Sequence, residues 1–306
     1  MLSGKRPISK ICCIGEVMIE LVNGRHGNIT LGVAGDTYNT AVYLKRMLQQ
    51  KHTVAYCTAL GTDPYSAKIK EALHNYNIDT SCIEIRTDKI PGLYAVDTDA
   101  DGERSFTYWR SDAAARTLFQ PPNKISFKTL AGFDLIYLSG ITMAILPPDI
   151  RAALIDFVHT FKAGGGTVAY DSNYRPKLWE NQAVAQDINT QLWQLADIAL
   201  PSVDDEMELF SESTQAEVVA RLQSLGVTYG ALKQGAEGPL DLGIQHAVAE
   251  NLTQVSHVID STAAGDSFNA GYLASYVLGE TSKSQLERGH NLAAKVITHP
   301  GAIIPE

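Results

Sequence analysis

Short apolar runs alternate with longer amphipathic segments through the second half of the chain. The apolar runs, which predict buried strands, cover residues 134–139, 167–171, 198–201 and 229–233. The segments with apolar residues at helical spacing cover residues 147–162, 188–195 and 214–225. Strands that alternate with helices predict a mostly parallel sheet covered by helices on both faces. Ligands of such sheets bind at the carboxyl ends of the strands, where this chain places its polar loops.

The first half of the chain shows the same rhythm less regularly. Residues 10–20 predict a strand closed by Gly15-Glu16, and residues 53–60 predict another strand, followed by a helix over 66–76. Between these strands a helix opens at residues 35–40, with Asp36 or Thr37 as its candidate cap.

Two segments depart from the alternation of strands and helices. Residues 20–33 contain the turn signals Asn23-Gly24 and Gly27-Asn28, and residues 91–112 alternate with period two around a turn at 99–102, which predicts a β-hairpin. On this hairpin Tyr108 and Arg110 share one face, because strand side chains alternate. The pattern suits either an ordinary sheet surface or a lid over a substrate with a carboxylate, which Arg binds in a bidentate fork.

Composition narrows the class of ligand. The 306 residues carry a net charge of −9, which argues against binding to nucleic acid or to an anionic membrane, although a local Arg cluster can still bind an anionic substrate. The four cysteines show no zinc spacing, and Cys12 and Cys13 are expected to pack as small hydrophobic residues in a reduced, cytoplasmic compartment. No segment of the sequence is long and apolar enough to cross a bilayer.

The most informative stretch covers residues 260–274. Residues 255–259 predict a short buried strand, and the apolar residues after Asp266 predict a helix. The small residues 263–265 lie between them, and their bare N–H groups at a helix N-terminus suit a phosphate or an oxyanion. A carboxylate beside such a site suits the general base for a hydroxyl that attacks a phosphoryl group. The alternative is that Asp266 only caps the helix.

The run Asp-Ser-Thr-Ala-Ala-Gly-Asp-Ser-Phe-Asn-Ala-Gly in this stretch resembles the C-terminal signature of the ribokinase-like sugar kinases, with Ser261 in place of the usual Thr. The resemblance covers nearly the whole chain. It implies an α/β fold, a three-layer sandwich with a mostly parallel central sheet and a small β-sheet lid. It also implies that Asp266 is the catalytic base and contacts the sugar. The backbone that would form the anion hole for the transferred phosphoryl group of ATP belongs to Ala263, Ala264 and Gly265.

Other segments match the family's sugar site. Gly35, Asp36 and Asn39 match a Gly-Gly-x-x-x-Asn box that opens the first helix and binds the sugar, with Ala34 in place of the first Gly. The resemblance implies that the lid adds further sugar contacts. These contacts are Tyr94, Tyr108 and Arg110.

The nucleotide site is implied by three matches. Asn173 and Arg175 lie in a loop that the family places between the sugar and the nucleotide phosphates, so Arg175 would touch both, although a surface Arg is the alternative. Residues 233–238 match a Lys-x-Gly-x-x-Gly loop that lies along the nucleotide, and residues 289–294 resemble the adenine-side helix. The implied contacts in these two segments are Lys233, Gly235, Gly238 and Asn291.

Three consecutive acids, residues 204–206, suggest either a solvated helix start or help with Mg²⁺. The family pattern here is Asn-x-x-Glu, whereas this chain has Ser202-x-x-Asp205. The metal candidates are therefore Asp205 and Glu206. A monovalent cation is a further cofactor that the resemblance leaves open.

The runs that are similar to family members acting on an acid sugar are 14–21, 35–40, 91–94, 108–110 and 173–176. They imply transfer of the ATP γ-phosphoryl group to the 6-hydroxyl of 2-keto-3-deoxy-D-gluconate. Arg110 and Arg175 support this, because they supply more positive charge than a neutral sugar requires. Three alternatives stay open: a fructokinase or ribokinase specificity, a non-catalytic sugar sensor and a nicotinamide-dependent oxidoreductase. The lack of a G-x-G-x-x-G fingerprint disfavours the last.

The resemblance also predicts the organisation of the chain. Residues 1–306 are expected to form a single kinase domain, with lid insertions at about 20–33 and 91–112. A homo-oligomer is expected, with a dimer formed through the lid.

Overall fold

Strands and helices alternate along most of the chain in the computed structural model, which describes residues 2, 4–23, 28–98, 104–243 and 246–305. The strands are β1 Lys10–Ile14, β2 Met18–Asn23, β3 Ile29–Ala34, β4 Thr53–Leu60, β5 Ile83–Ile85, β6 Leu93–Thr98, β7 Arg104–Trp109, β8 Leu135–Ser139, β9 Thr167–Asp171, β10 Ile198–Ala199, β11 Ala231–Leu232 and β12 Leu240–Asp241. The helices are α1 Asp36–Leu48, α2 Pro64–Asn75, α3 Phe127–Leu130, α4 Gly140–Ile145, α5 Pro148–Ala163, α6 Gln182–Leu195, α7 Val203–Phe210, α8 Gln215–Ser224, α9 Ala264–Val277 and α10 Ser282–Val296.

The central sheet has six parallel strands in the order β10-β9-β8-β1-β4-β5. Alternate side chains of its strands enter two different cores. Cys12 and Ile14 pack with apolar residues of α5, α6 and α8, whereas Ile11 and Cys13 pack with those of α1, α2, α9 and α10. Helices therefore cover both faces, as the sequence predicts, and the result is a three-layer sandwich.

Most predicted elements of this sheet are confirmed with small shifts of their ends, although the helix predicted at 188–195 begins earlier, at Gln182. The strand predicted at 10–20 is divided between β1 and β2, which belong to different sheets. The strand predicted at 229–233 is reduced to β11, which pairs antiparallel with β12 outside the central sheet. The strands at 53–60 and 167–171 have the predicted bounds, and the helix predicted at 147–162 spans Pro148–Ala163. All four cysteines are buried free thiols, as expected for residues that pack like small hydrophobic groups.

A second, four-stranded sheet has the order β3-β2-β6-β7 and is called the small sheet below. It is mixed, because β2 pairs antiparallel with β3 and parallel with β6, while β6 and β7 form the predicted antiparallel hairpin. Tyr94 and Tyr108 are directly opposite each other in that hairpin. The predicted turns at 23–28 and 99–102 lie largely or wholly outside the described residues.

Two further predictions about local structure are wrong. Residues 255–259 form no strand, and Val258 and Ile259 are 51% and 52% exposed. The Ile259 N–H donates a hydrogen bond to the Ile297 carbonyl instead of pairing with a neighbouring strand. The run is too short and too interrupted by polar residues to bury itself. The cap of α1 is the backbone of Gly35, not the side chain of Asp36 or Thr37, since both lie inside the helix.

Helix α9 is buried from Ser267 to Val277 and packs closely on α10. The approach requires glycine, because a Cβ on Gly271 would lie 2.6 Å from the Arg288 carbonyl oxygen. This contact fixes the position of the α9 N-terminus. Within the described ranges, none of the helices combines the length and the apolar character needed to traverse a bilayer.

Candidate active site

The carboxyl ends of β8 and β9 meet the first turns of α1 and α9 in one cleft. Ser139 ends β8 and Asp171 ends β9, while Asp36 opens α1 and Asp266 lies in the first turn of α9. The parallel strands bring these ends together because their carboxyl termini share one edge of the sheet.

The first turn of α9 presents backbone donors to the cleft. Ala263 adopts a left-handed conformation (φ 60°) before the helix begins, and among the described residues no acceptor is found for the N–H groups of Gly265 and Asp266. The loop is held by buried Asp260, whose carboxylate accepts hydrogen bonds from the N–H groups of Thr262 (2.9 Å) and Gly301 (2.5 Å). Free N–H groups at the positive end of a helix dipole suit an anion.

Asp266 does not cap α9. Its carboxylate instead accepts a hydrogen bond from Asn39 Nδ2 (2.8 Å), and its carbonyl accepts one from Thr40 Oγ1 (3.2 Å). Burial, with a smaller contribution from the neighbouring Asp36 carboxylate, raises the pKa of Asp266 to about 8. A pKa close to the working pH is the property that a general base needs.

The predicted sugar residues of α1 lie in the same place. Asp36 Oδ2 accepts hydrogen bonds from Ser139 Oγ (2.5 Å) and Asn173 Nδ2 (3.1 Å). Gly35 is required by its surroundings, because a Cβ there would lie 2.3 Å from the Glu16 carbonyl oxygen. The structure thus brings Gly35, Asp36 and Asn39 together beside Asp266, and turns Asn173 toward Asp36.

A buried ionic network lies beneath the α9 N-terminus. Lys233 Nζ donates to Asp171 Oδ2 (2.5 Å) and to Asn269 Oδ1 (3.2 Å). Asn269 Nδ2 donates to the same Asp171 oxygen (2.6 Å) and to the Tyr137 hydroxyl (3.0 Å). Sequence reasoning missed Asp171 and Asn269. The available signal was an acid and an amide inside runs that otherwise read as buried strand and buried helix.

The two metal candidates differ in their surroundings. Glu206 is fully buried and pairs with Arg221 (2.8 Å), which sits over the Phe210 ring. Asp205 pairs with the exposed guanidinium of Arg175 (3.2 Å) and keeps 20% of its side chain exposed. Burial raises the pKa of Asp205 although Arg175 acts against it. Within the described residues no cluster of three or more His, Cys, Asp or Glu side chains could hold a metal ion.

The small sheet contributes aromatic residues and a buried ion pair. The Tyr94 and Tyr108 rings are 5.6 Å apart, and the Tyr94 hydroxyl donates to Glu20 Oε1 (2.6 Å). Arg110 Nη2 donates to the buried carboxylate of Glu16, while Arg110 Nε has no acceptor within the described part of the chain. Sequence reasoning missed Glu16 and Glu20, although a carboxylate within an apolar strand pattern was a usable signal.

The remaining nucleotide candidates lie in the turn after β11 and on α10. Gly235 and Gly238 have φ values of 55° and 88°, which glycine adopts without strain. The Asn291 amide donates to the Asn251 carbonyl (3.0 Å) and accepts from the Thr253 N–H (2.8 Å). In this structure Asn291 therefore holds the 251–253 loop.

The family described as pfkB family carbohydrate kinase matches residues 8–306. The chain belongs to this family. As a pfkB carbohydrate kinase it is an enzyme, which decides against the sugar-sensor and oxidoreductase alternatives.

Relatives within the pfkB family are similar over nearly their full length. The Escherichia coli protein named 2-dehydro-3-deoxygluconokinase is 41% identical over 302 residues, covering 97% of each chain. The Dickeya dadantii protein of the same name is 40% identical over 301 residues, covering 96% of each chain. The crystal structure of the Thermotoga maritima 2-dehydro-3-deoxygluconokinase superposes with a TM-score of 0.85 at 19% identity, covering 98% of this chain and 96% of the other. That likeness confirms the predicted ribokinase-like fold.

Replacing the central carboxylate should change how stability depends on pH. The unfolded chain ionises Asp266 near the ordinary pKa of 3.8, whereas the folded chain does so near 8. Folding takes up a proton between these values, so this group makes stability fall as pH rises from about 4 to about 8. Asp266→Asn should therefore be more stable than the wild type at about pH 8.5, by about 1–3 kcal/mol, and similar to it near pH 4.

Urea denaturation at both pH values measures the effect. Asp156→Asn, on the exposed side of α5, is the control and should leave the pH dependence unchanged. Equal stability of Asp266→Asn and the wild type at both pH values would contradict the buried, charge-crowded environment of this carboxyl group.

Proposed function

We propose that this pfkB kinase transfers the γ-phosphoryl group of ATP to the 6-hydroxyl of 2-dehydro-3-deoxy-D-gluconate, which is 2-keto-3-deoxy-D-gluconate. The observation that carries the proposal is the Asp266 carboxylate with a pKa of about 8, in contact with Asn39 and in the first turn of α9. The names of the relatives at 40% and 41% identity support the choice of sugar.

The reaction needs one proton acceptor and one anion site. The sugar hydroxyl oxygen attacks the γ-phosphorus, its proton passes to Asp266, and the bond from the γ-phosphorus to the bridging oxygen breaks, so that ADP leaves with that electron pair. The free N–H groups of Gly265 and Asp266 at the start of α9 stabilise the charge on the transferred group, whereas the Ala264 N–H donates to the Ser261 carbonyl (3.1 Å). Asn39 holds the Asp266 carboxylate toward the sugar side of the cleft.

Asp205, rather than Glu206, is the proposed residue for Mg²⁺. Glu206 is fully buried and paired through Oε2 with Arg221, whereas Asp205 keeps 20% of its side chain exposed beside Arg175. One carboxylate is enough, because Mg²⁺ keeps several waters and binds the phosphates of its nucleotide. When bound, Mg²⁺ would neutralise charge on the phosphates. A monovalent cation stays a prediction.

For the nucleotide we propose residues of the loops that follow β9 and β11, together with one residue of α10. The contacts are Asn173, Arg175, Lys233, Gly235, Gly238 and Asn291, with the backbone of Ala263, Ala264 and Gly265. Arg175 is the most exposed of the cations beside the cleft and reaches Asp205, so it is able to move onto a phosphate.

Arg110 is the proposed partner of the sugar carboxylate. It is 9% exposed and its Nε lacks an acceptor among the described residues, and a buried donor in that state is expected to find one. Its guanidinium group lies over the Tyr108 ring, which packs against the Tyr94 ring of the small sheet. We propose that this sheet acts as the lid. A neutral acceptor such as fructose or ribose is the second candidate, since Glu16 already neutralises the Arg110 charge.

The small sheet also supports a dimer. Its edge strands carry large apolar side chains that are mostly exposed, including Ile29 (63%) on β3 and Trp109 (59%) on β7. Exposed apolar edge strands favour pairing with another chain. We propose that two copies cover these strands in a homodimer.

A substrate panel tests the reaction. ADP release with Mg·ATP is measured for 2-dehydro-3-deoxygluconate, fructose, ribose and gluconate, and turnover is expected on the keto-deoxy acid. Asp266→Asn should lower kcat on it by about 10²–10⁴-fold, because general-base catalysis contributes that much. Turnover on a neutral sugar instead would agree with kinase activity but reject the proposed acceptor. Near-normal turnover of Asp266→Asn would reject Asp266 as the general base.

Removing the lid cation tests the carboxylate contact. Arg110→Met should raise KM for the acid sugar by about 10–100-fold and leave kcat nearly unchanged, because a charged hydrogen bond in the ground state and transition state is lost. Arg151→Met is the matched control: Arg151 is also buried, paired with a glutamate and stacked on an aromatic ring, yet lies away from the cleft. An unchanged KM in Arg110→Met removes Arg110 from the sugar site.

The dimer is tested by sedimentation. Trp109→Lys should convert a dimer to a monomer, since a charge at the centre of an apolar contact is costly to bury. Val248→Lys is the control, because Val248 is 70% exposed and lies outside the small sheet. A wild-type monomer, or a dimer that survives in Trp109→Lys, argues against association through this sheet.

A further inference from the structure

The side chain of Lys233 points away from the loop that contains its backbone and into the protein. Its backbone is fixed between β10 and α7, with its N–H donating to the Pro201 carbonyl (2.8 Å) and its carbonyl accepting from the Val203 N–H (3.0 Å). The side chain runs inward to Asp171 and Asn269, and only 11% of it is exposed. A lysine that only contacted a bound nucleotide at the protein surface would not need to bury its ammonium group.

The ammonium group reaches the anion hole. A Cβ placed on Gly265 would lie 3.6 Å from Lys233 Nζ, so the nitrogen faces the first turn of α9 beneath the free N–H groups. An ammonium has three N–H donors. Two point to Asp171 Oδ2 and Asn269 Oδ1, and the described residues offer no acceptor for the third.

The charge around the cleft explains why a cation belongs there. The carboxylates of Asp36, Asp171, Asp205 and Asp266 converge on this edge of the sheet, and a phosphoryl group adds further negative charge. Lys233 lowers the pKa of both Asp266 and Asp205, whereas Arg175 is half exposed and Arg110 is paired on the small sheet.

We propose that Lys233 is a catalytic residue that donates its third N–H to an oxygen of the γ-phosphoryl group during transfer. Asp171 and Asn269 are positioning residues that hold the ammonium group in place. No proton leaves Lys233 in this step; the hydrogen bond and the positive charge stabilise the phosphoryl oxygens as the bond to ADP breaks. The inference rests on phosphoryl transfer at Asp266, but it holds for any sugar acceptor.

The chain contains a matched control for this lysine. Lys5 pairs with Asp197 at 2.6 Å, and its side chain is also 11% exposed, but it lies at the opposite end of the parallel strands. Lys5→Met therefore removes an equally buried Lys–Asp pair without touching the cleft. Any general effect of losing such a pair appears in both variants.

Kinetics provide the first test, with Lys233→Met and with Lys233→Gln, which keeps a donor for Asp171 but no charge. Both should lower kcat by about 10²–10³-fold, the cost of one lost donor to a developing oxyanion, with KM for the sugar within about threefold of the wild type. The acid limb of the pH–rate profile should also move to higher pH. Lys5→Met should keep wild-type kcat. The proposal is overturned if either folded Lys233 variant keeps kcat within about fivefold, or loses only KM for ATP.

A binding experiment separates this proposal from the choice of acceptor. Calorimetry compares ADP alone with ADP plus aluminium fluoride, a mimic of the transferred group, in the absence of sugar. The wild type and Lys5→Met should bind the mimic complex more tightly than ADP, and Lys233→Gln should lose most of that gain while binding ADP normally. A gain that persists in Lys233→Gln rejects the contact. Failure on every sugar, with this pattern intact, would reject the proposed acceptor and leave Lys233 at the phosphoryl site.

Discussion

Compensation of negative charge is the constraint on which the rest of this structure depends. Four carboxylates converge where the parallel strands end, and in water-poor surroundings they can stay together only if donors and cations face them. The α9 dipole and the ammonium group of Lys233 provide positive charge, and Lys233 donates directly to Asp171. Asn39 donates to Asp266, while Asn173 and Ser139 donate to Asp36. The negative charge of Asp266 is only partly compensated, which raises its pKa and suits it to act as a base. The same uncompensated charge lowers the stability of the folded protein when Asp266 is ionised.

Packing around α9 keeps this arrangement in register. The helix is apolar on nearly every side, which sequence periodicity alone would read as a core segment, and glycine at 271 lets α10 approach it closely. Its polar first turn is therefore joined to a helix that is buried from Ser267 to Val277. Thr40 and Asn39 of α1 hydrogen-bond directly to Asp266. The proposed sugar site on α1 and the proposed phosphoryl site on α9 are therefore both positioned relative to this one residue.

The alternation of apolar and polar positions predicted much of the central sheet, since β4 and β9 have the predicted ends, and it also predicted the hairpin of β6 and β7 in the small sheet. It failed at 255–259, where three apolar residues without a neighbouring strand were read as buried. Motif matches singled out Asp266, Asp36 and Asn39, which the structure places close together. They could not reveal Glu16, Asp171 or Asn269, because these contacts join residues that are 94, 62 and 36 positions from their partners.

The order of the two halves of the site along the chain has an evolutionary consequence. Every proposed acceptor contact from α1 and the small sheet lies before residue 112, and the loops proposed for the nucleotide lie after residue 172; only α9 and Arg175 serve both. A single recombination or a burst of substitutions in the first third of the gene can therefore retarget the acceptor while the donor machinery is inherited intact. Divergence of this kind would let one scaffold diversify its substrates without reinventing its chemistry.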